Sequence, residues 1–170
     1  MSYNKAILSI LVLLAASRFI PHPPNFTPII SMAILSGVAL KNLKSSILLI
    51  LSAMFITDIF LGFHKNMFFV YTSLYLITVT SFKLSYKINF KNLLFYCLLS
   101  SICFFILTNF GVWFFGNLYV RNFAGLIECY TMAIPFFKNT IISTLLFSYS
   151  LFILDSFLKN KLKIFNKSFF

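Results

Sequence analysis

Charged residues are scarce in this chain of 170 residues, and acidic residues are especially rare. Only 10% of the residues are charged and only three are acidic, whereas 60% are hydrophobic and the mean hydropathy is +0.94. A soluble domain carries roughly 25% charged residues and about 45–50% apolar ones. The composition therefore excludes an ordinary soluble domain and indicates a chain that folds in lipid.

Sequence motifs that mark enzymes are also absent. The chain has no Gly-x-Ser-x-Gly turn, no His-Glu-x-x-His pair and no phosphate-binding loop. It has no Cys-x-x-Cys pair either, because Cys97, Cys103 and Cys129 are too far apart. Asp58 and Asp155 fall near opposite sides of the predicted bilayer, so they cannot share a proton as in an aspartyl protease. We therefore predict a protein that is not an enzyme and has no resident cofactor.

The hydrophobic residues form long unbroken runs, which predict membrane-spanning α-helices. A helical span needs about 20 apolar residues, and the strands of a membrane barrel would instead alternate. Arg18 and a proline cluster follow the first run where a signal peptide would have its cleavage site, so we predict that this run is a retained span. We predict one all-α membrane domain over residues 1–170 with spans near 4–20, 28–42, 45–63, 67–84, 91–109 and 137–157.

Basic residues are distributed unequally over the two sides of this predicted bundle. Six spans put both termini on one side, which carries ten basic residues against four on the other. By the positive-inside rule both termini are cytoplasmic, in a multi-pass protein of the inner membrane. The lysines are scattered over short loops and a tail, which argues against nucleic-acid binding. The predicted tail is 158–170, and the predicted outward loops are 21–27, 64–66 and 110–136.

The outward side holds most of the polar and conformationally special residues. Both histidines, all five prolines and the only tryptophan lie at or near it. Loops on a rigid scaffold are where binding residues usually lie. An aspartate inside a membrane helix is expected to face the bundle interior or a wet cavity. The candidate ligand-binding residues are His22, Asn25, Thr27, Asp58, His64, Tyr71, Tyr75, Asn109, Trp113, Glu128 and Asn139.

Each of these candidates also has a purely structural interpretation. A bond from Asp58 to Arg18, or to a serine or threonine, would join two helices. Tyr71, Tyr75 and Trp113 suit the aromatic belt of a membrane protein. The asparagines and the threonine at the span ends suit helix caps. The sequence leaves open whether these polar residues bind a ligand or only stabilise helices.

Several candidates also have side chains that can bind a transition metal. His22, Asp58, His64, Glu128 and Cys129 supply imidazole, carboxylate and thiol groups on the same side. Their spacing matches no compact metal motif, and no two of them form an i, i+4 pair on one helix. We therefore predict no metal site.

A pair of small residues, Ala33 and Gly37, lies one helical turn apart in the second predicted span. Pairs of this kind let membrane helices approach closely. The face that they form serves either packing inside the chain or docking of a partner protein. We keep both residues as candidates for partner docking.

The proline segment, residues 21–28, is predicted to be non-helical and to lean into the outer end of the bundle. Its four prolines, Pro21, Pro23, Pro24 and Pro28, cannot continue a helix. Non-helical backbone at membrane depth persists only where it is buried in protein or lines a cavity. The sequence therefore predicts an ordered segment that plugs or lids a pocket.

The segments RFIPHPPNFTPI (18–29), MFITDIFLGFH (54–64) and TNFGVWFF (108–115) resemble an uncharacterised bacterial family of small six-span inner-membrane proteins. The resemblance covers residues 15–150. The chain departs from that family at Arg121 and in NTIIST (139–144), which lacks an acidic residue.

The family is in turn distantly similar to the substrate-binding S components of energy-coupling-factor vitamin transporters. This similarity implies six helices, cytoplasmic termini and a pocket near the outer face. It also implies uptake of a small vitamin-like molecule together with an energising partner of transmembrane and ATPase subunits. Two alternatives remain, namely a structural scaffold without a ligand and a metal-binding permease or enzyme.

Overall fold

The computed structural model describes residue 12, residues 15–40 and residues 42–167, with the backbone alone for residues 160–167. Within these residues the chain forms five α-helices and no β-strand, which confirms the all-α prediction. A 3-10 turn, Ser17–Phe19, precedes the first of these helices. The helices are α1 Ile29–Ala39, α2 Leu43–Leu61, α3 Met67–Lys83, α4 Leu93–Phe115 and α5 Phe123–Lys167.

Three of the helices are long and apolar enough to cross a membrane. They are α2, α4 and the Phe123–Lys159 part of α5. At 1.5 Å per residue, a helix needs about 20 residues to cross a hydrocarbon core of about 30 Å. The length and composition of these helices confirm the prediction of a membrane protein. The first predicted span, 4–20, lies mainly outside the described residues.

The short helix α1 lies at the centre of the bundle and contacts each of the other four helices. Nine of its 11 residues are buried. It begins directly after Pro28 and ends before Leu40, whose backbone is extended. The span predicted at 28–42 is therefore an 11-residue helix about 16 Å long. The non-helical proline segment leads into this helix from one end of the bundle.

Helices α1 and α3 approach each other closely at Gly37. A Cβ atom added there would lie 2.7 Å from the carbonyl oxygen of Thr78 and 2.8 Å from the amide nitrogen of Phe82. Only glycine fits at this distance, and Ala33 one turn earlier is also fully buried. The prediction that Ala33 and Gly37 dock a partner protein is therefore wrong, because their own chain covers both residues.

Helices α4 and α5 occupy most of the region 110–136, which was predicted to be a loop. Helix α4 continues to Phe115 and α5 begins at Phe123. Pro135, which falls in the predicted loop, lies inside the 45-residue helix α5. A proline there removes one backbone hydrogen bond, and membrane helices tolerate this loss. The loop prediction is wrong, and the span predicted at 137–157 is the middle part of a longer helix. The tail predicted to begin at residue 158 is helical as far as Lys167.

Candidate ligand-binding site

A pocket of about 340 Å³ lies near one end of the bundle, between the end of α2, the starts of α1 and α3, and the middle of α4 and α5. Four predicted site residues line it, namely His22, Asn25, Thr27 and His64. Apolar side chains from α1, α2, α3 and α4 form the rest of its wall. Pockets for small molecules usually measure about 300–1,000 Å³ and combine an apolar wall with a few polar groups. The pocket has the size and lining of a site for one small molecule.

The proline segment forms one edge of this pocket and contains a tight turn. The Phe26 N–H donates to the Pro23 carbonyl oxygen at 2.9 Å. Pro24 and Asn25 occupy the two central positions, and Asn25 has a positive φ of 61°. Proline followed by a residue with positive φ is the pattern of a type II turn. His22 Nδ1 lies 3.0 Å from the same carbonyl oxygen, which can only accept, so this ring nitrogen carries the proton.

Helix α5 holds the proline segment in place through three contacts. Asn139 Nδ2 donates to the Pro24 carbonyl oxygen at 3.0 Å. Ser143 Oγ donates to the Asn25 carbonyl oxygen at 3.4 Å. The ring of Phe26 also packs edge-on against a phenylalanine of α5. Asn139 therefore supports the edge of the pocket and is not part of its lining.

A buried ion pair lies behind the pocket and joins Arg18 to α2. Arg18 Nη2 is 2.6 Å from Asp58 Oδ1, and the Asp58 side chain is only 1% exposed. The second carboxylate oxygen accepts a hydrogen bond of 2.8 Å from the Tyr71 hydroxyl. Arg18 Nη1 donates to the Thr57 hydroxyl and, at 3.3 Å, to the Met54 carbonyl oxygen. This network confirms the interpretation that Asp58 joins two parts of the fold.

Asp58 and Tyr71 are therefore one layer behind the pocket, and neither lines it. Arg18 does line it, and its side chain is 13% exposed. Removing one partner of such a buried pair costs about 3–5 kcal/mol, because the remaining charge is left without compensation. The ion pair thus fixes the position of the guanidinium group at the pocket wall.

A second, more open hollow of about 350 Å³ lies on the other side of the proline segment. Asn25 lines both hollows, and Pro24, Asn109 and Cys129 line the second. The Asn109 amide donates to the Phe105 carbonyl oxygen of its own helix at 2.8 Å. Asn109 therefore lines the second hollow and not the first pocket.

Three further predicted site residues lie away from the pocket. Tyr75 is 42% exposed on the outside of α3. Trp113 donates from Nε1 to the Val120 carbonyl oxygen at 3.1 Å and so fastens the turn between α4 and α5. Glu128 is exposed on α5. Trp113 and Glu128 were expected in the outward loop predicted at 110–136, and this expectation is wrong because both residues lie in helices.

Sequence reasoning missed three polar residues of the pocket, namely Arg18, Thr140 and Ser143. Arg18 was considered only as a partner for Asp58. The sequence did contain a signal for Arg18, because this cation directly precedes the proline segment and lies on the same predicted side as Asp58. Thr140 and Ser143 gave no comparable signal, because their contribution depends on how α5 is rotated in the bundle.

Among the residues that the structure describes, no three histidine, cysteine or acidic side chains come together as metal ligands. His22 and His64 both line the pocket, but Asp58 is already bonded to Arg18 and Tyr71. The pocket therefore offers hydrogen-bonding groups without a set of metal ligands.

The chain belongs to a family of unknown function, DUF6580, whose model matches residues 2–165. No curated protein and no solved structure matches the chain. The family description assigns no activity, so the pocket itself supplies the basis for a function.

Proposed function

We propose that this protein is a membrane-embedded binding subunit for the uptake of a small vitamin-like or precursor molecule. The observation that carries the proposal is the pocket of about 340 Å³, in which polar groups of the proline segment and α5 meet an apolar wall. Pockets of this kind are the default sites for small ligands. The chain has no phosphate-binding loop, so energy for uptake would come from a partner with transmembrane and ATPase subunits.

The proposed arrangement has six spans in the inner membrane and both termini in the cytoplasm. The support is the excess of ten basic residues over four on the side of the termini. The chain between α2 and α3 and the chain between α4 and α5 would then face outward. The pocket would open to the outer face, where a molecule arriving from outside reaches it first.

The test is a native mass spectrum of the full chain purified in detergent, compared with two tryptophan variants. Val70 lines the pocket, whereas Val79 on the same helix is equally half-buried and does not line it. We expect a bound small molecule on the unmodified protein and on Val79→Trp, and its loss from Val70→Trp, whose indole fills the pocket. No bound mass on any of the three, or a mass retained by Val70→Trp, would favour a scaffold protein without this site.

A further inference from the structure

The walls of the pocket carry positive charge and hydrogen-bond donors but no negative charge. None of the three acidic residues of the chain lines it. Arg18, His22 and His64 do line it. Asp58 lies behind Arg18 with both carboxylate oxygens occupied. The ion pair therefore presents its positive end to the pocket.

The guanidinium of Arg18 still has donors to offer. An arginine side chain has five N–H donors. Nη1 donates to Thr57 and Met54, and Nη2 donates to Asp58. These three contacts leave Nε–H and one Nη2–H, and no other hydrogen bond of Arg18 is found within the described part of the chain. Two donors of one guanidinium suffice to bind one carboxylate group.

The start of α1 adds further unpaired donors at the same place. Ile29 and Ile30 belong to its first turn and line the pocket. The residue before the helix is Pro28, and no side chain caps the first turn. Free N–H groups at the start of a helix attract negative charge. An anion in the pocket would meet Arg18 and this helix end together.

We infer that the ligand carries a carboxylate group, which Arg18 binds through its two remaining donors. This inference rests on the proposed function and specifies the ligand of that pocket. Asp58 and Tyr71 are positioning residues, because they hold the guanidinium and do not touch the ligand. The apolar side chains of the wall contact the body of the ligand, and the volume of about 340 Å³ limits it to a small organic acid.

The inference is tested with small carboxylic acids, each paired with its uncharged primary amide. Thermal unfolding of the purified full chain is measured with every compound, followed by titration of those that stabilise it. We expect one or more acids to raise the unfolding temperature, and their amides to bind at least about tenfold more weakly, because hydrogen bonds to charged groups are the stronger ones.

Variants of Arg18 separate recognition of the ligand from stability of the fold. Arg18→Gln leaves Asp58 unpaired, so the double variant Arg18→Gln/Asp58→Asn, which buries no charge, is measured beside it. We expect both to lose at least about tenfold in affinity for the acid. The control Arg121→Gln changes an exposed arginine outside the pocket and is expected to bind normally.

The possible failures are distinguishable. If amides bind as well as acids, or if the double variant binds the acid normally, the carboxylate inference is overturned while the pocket remains a ligand site. If no compound stabilises the protein and no variant of the pocket changes a bound mass, the inference and the proposed function both fail.

Discussion

The buried pair of Arg18 and Asp58 joins the chain before the proline segment to helix α2. It serves two purposes, because it holds the fold together and sets the charge at the pocket wall. Asp155 provides a contrast within the same protein, since it pairs with Lys159 one turn away on α5 at 2.6 Å. Asp155 is buried, but the Lys159 side chain is 49% exposed, so water can hydrate the cation of this pair.

We expect Asp58→Asn to destabilise the protein far more than Asp155→Asn. The first change leaves the largely buried Arg18 without a counter-charge and costs about 3–5 kcal/mol. The second leaves a half-exposed lysine that water can hydrate, and so it costs less. Tyr71→Phe removes one hydrogen bond to the carboxylate and falls between them, at about 1.5–3 kcal/mol. Unfolding in detergent measures all three, and equal losses for the two aspartates would contradict the structural account of the pair.

Among the helices and turns, the proline segment depends on α5 for its position. Its backbone carbonyl groups at Pro24 and Asn25 accept hydrogen bonds from Asn139 and Ser143. Four prolines reduce the conformational freedom of the free segment, so little entropy is lost when it is held in place. The segment therefore stays ordered with few contacts.

Asn139→Ala is expected to loosen the proline segment without unfolding the bundle. The peptide that contains Phe26, whose amide closes the turn, should exchange its hydrogen several-fold faster. Asn117→Ala is the matched control, because Asn117 is exposed in the turn between α4 and α5. Unchanged exchange in the Asn139 variant would mean that the hydrogen bond to Pro24 does not hold the segment.

The sequence was sufficient to predict the non-helical proline segment and its own polar residues, but not the length of α5 or the polar groups that Arg18, Thr140 and Ser143 add to the pocket. Prolines at four of eight positions exclude a helix whatever surrounds them, so the non-helical backbone at 21–28 follows from local chemistry. Pro135 is a single proline, and whether a helix continues through it depends on tertiary packing. For this reason the length of α5, and with it the position of Glu128, was not predictable from local signals.

At the scale of the whole molecule, the central and buried position of α1 explains why the pocket exists. A helix of 11 residues leaves about half of a 30 Å hydrocarbon core unfilled along its axis. The pocket lies at the start of this short helix, where Ile29 and Ile30 line it together with residues of the proline segment and α5. Composition alone predicted a helical membrane protein, but it could not predict that α1 is much shorter than the other helices.

The proposed topology is tested by reporter fusions at two positions. A reporter that works only in the cytoplasm is expected to be active after Phe170, and one that works only outside is expected to be active within residues 116–122. The reason is the excess of lysines on the side of the termini. The opposite pattern at both positions would place the pocket on the cytoplasmic face and contradict uptake from outside.

The central claim is that the pocket beside Arg18 holds a small molecule. A crystal structure of the full chain, purified in mild detergent without added ligand, tests it most directly. We expect electron density for a non-protein molecule in the pocket, with oxygen atoms within hydrogen-bond distance of the Arg18 guanidinium. A pocket filled by the protein's own side chains, or a bound molecule that lies only in the second hollow, would contradict the account.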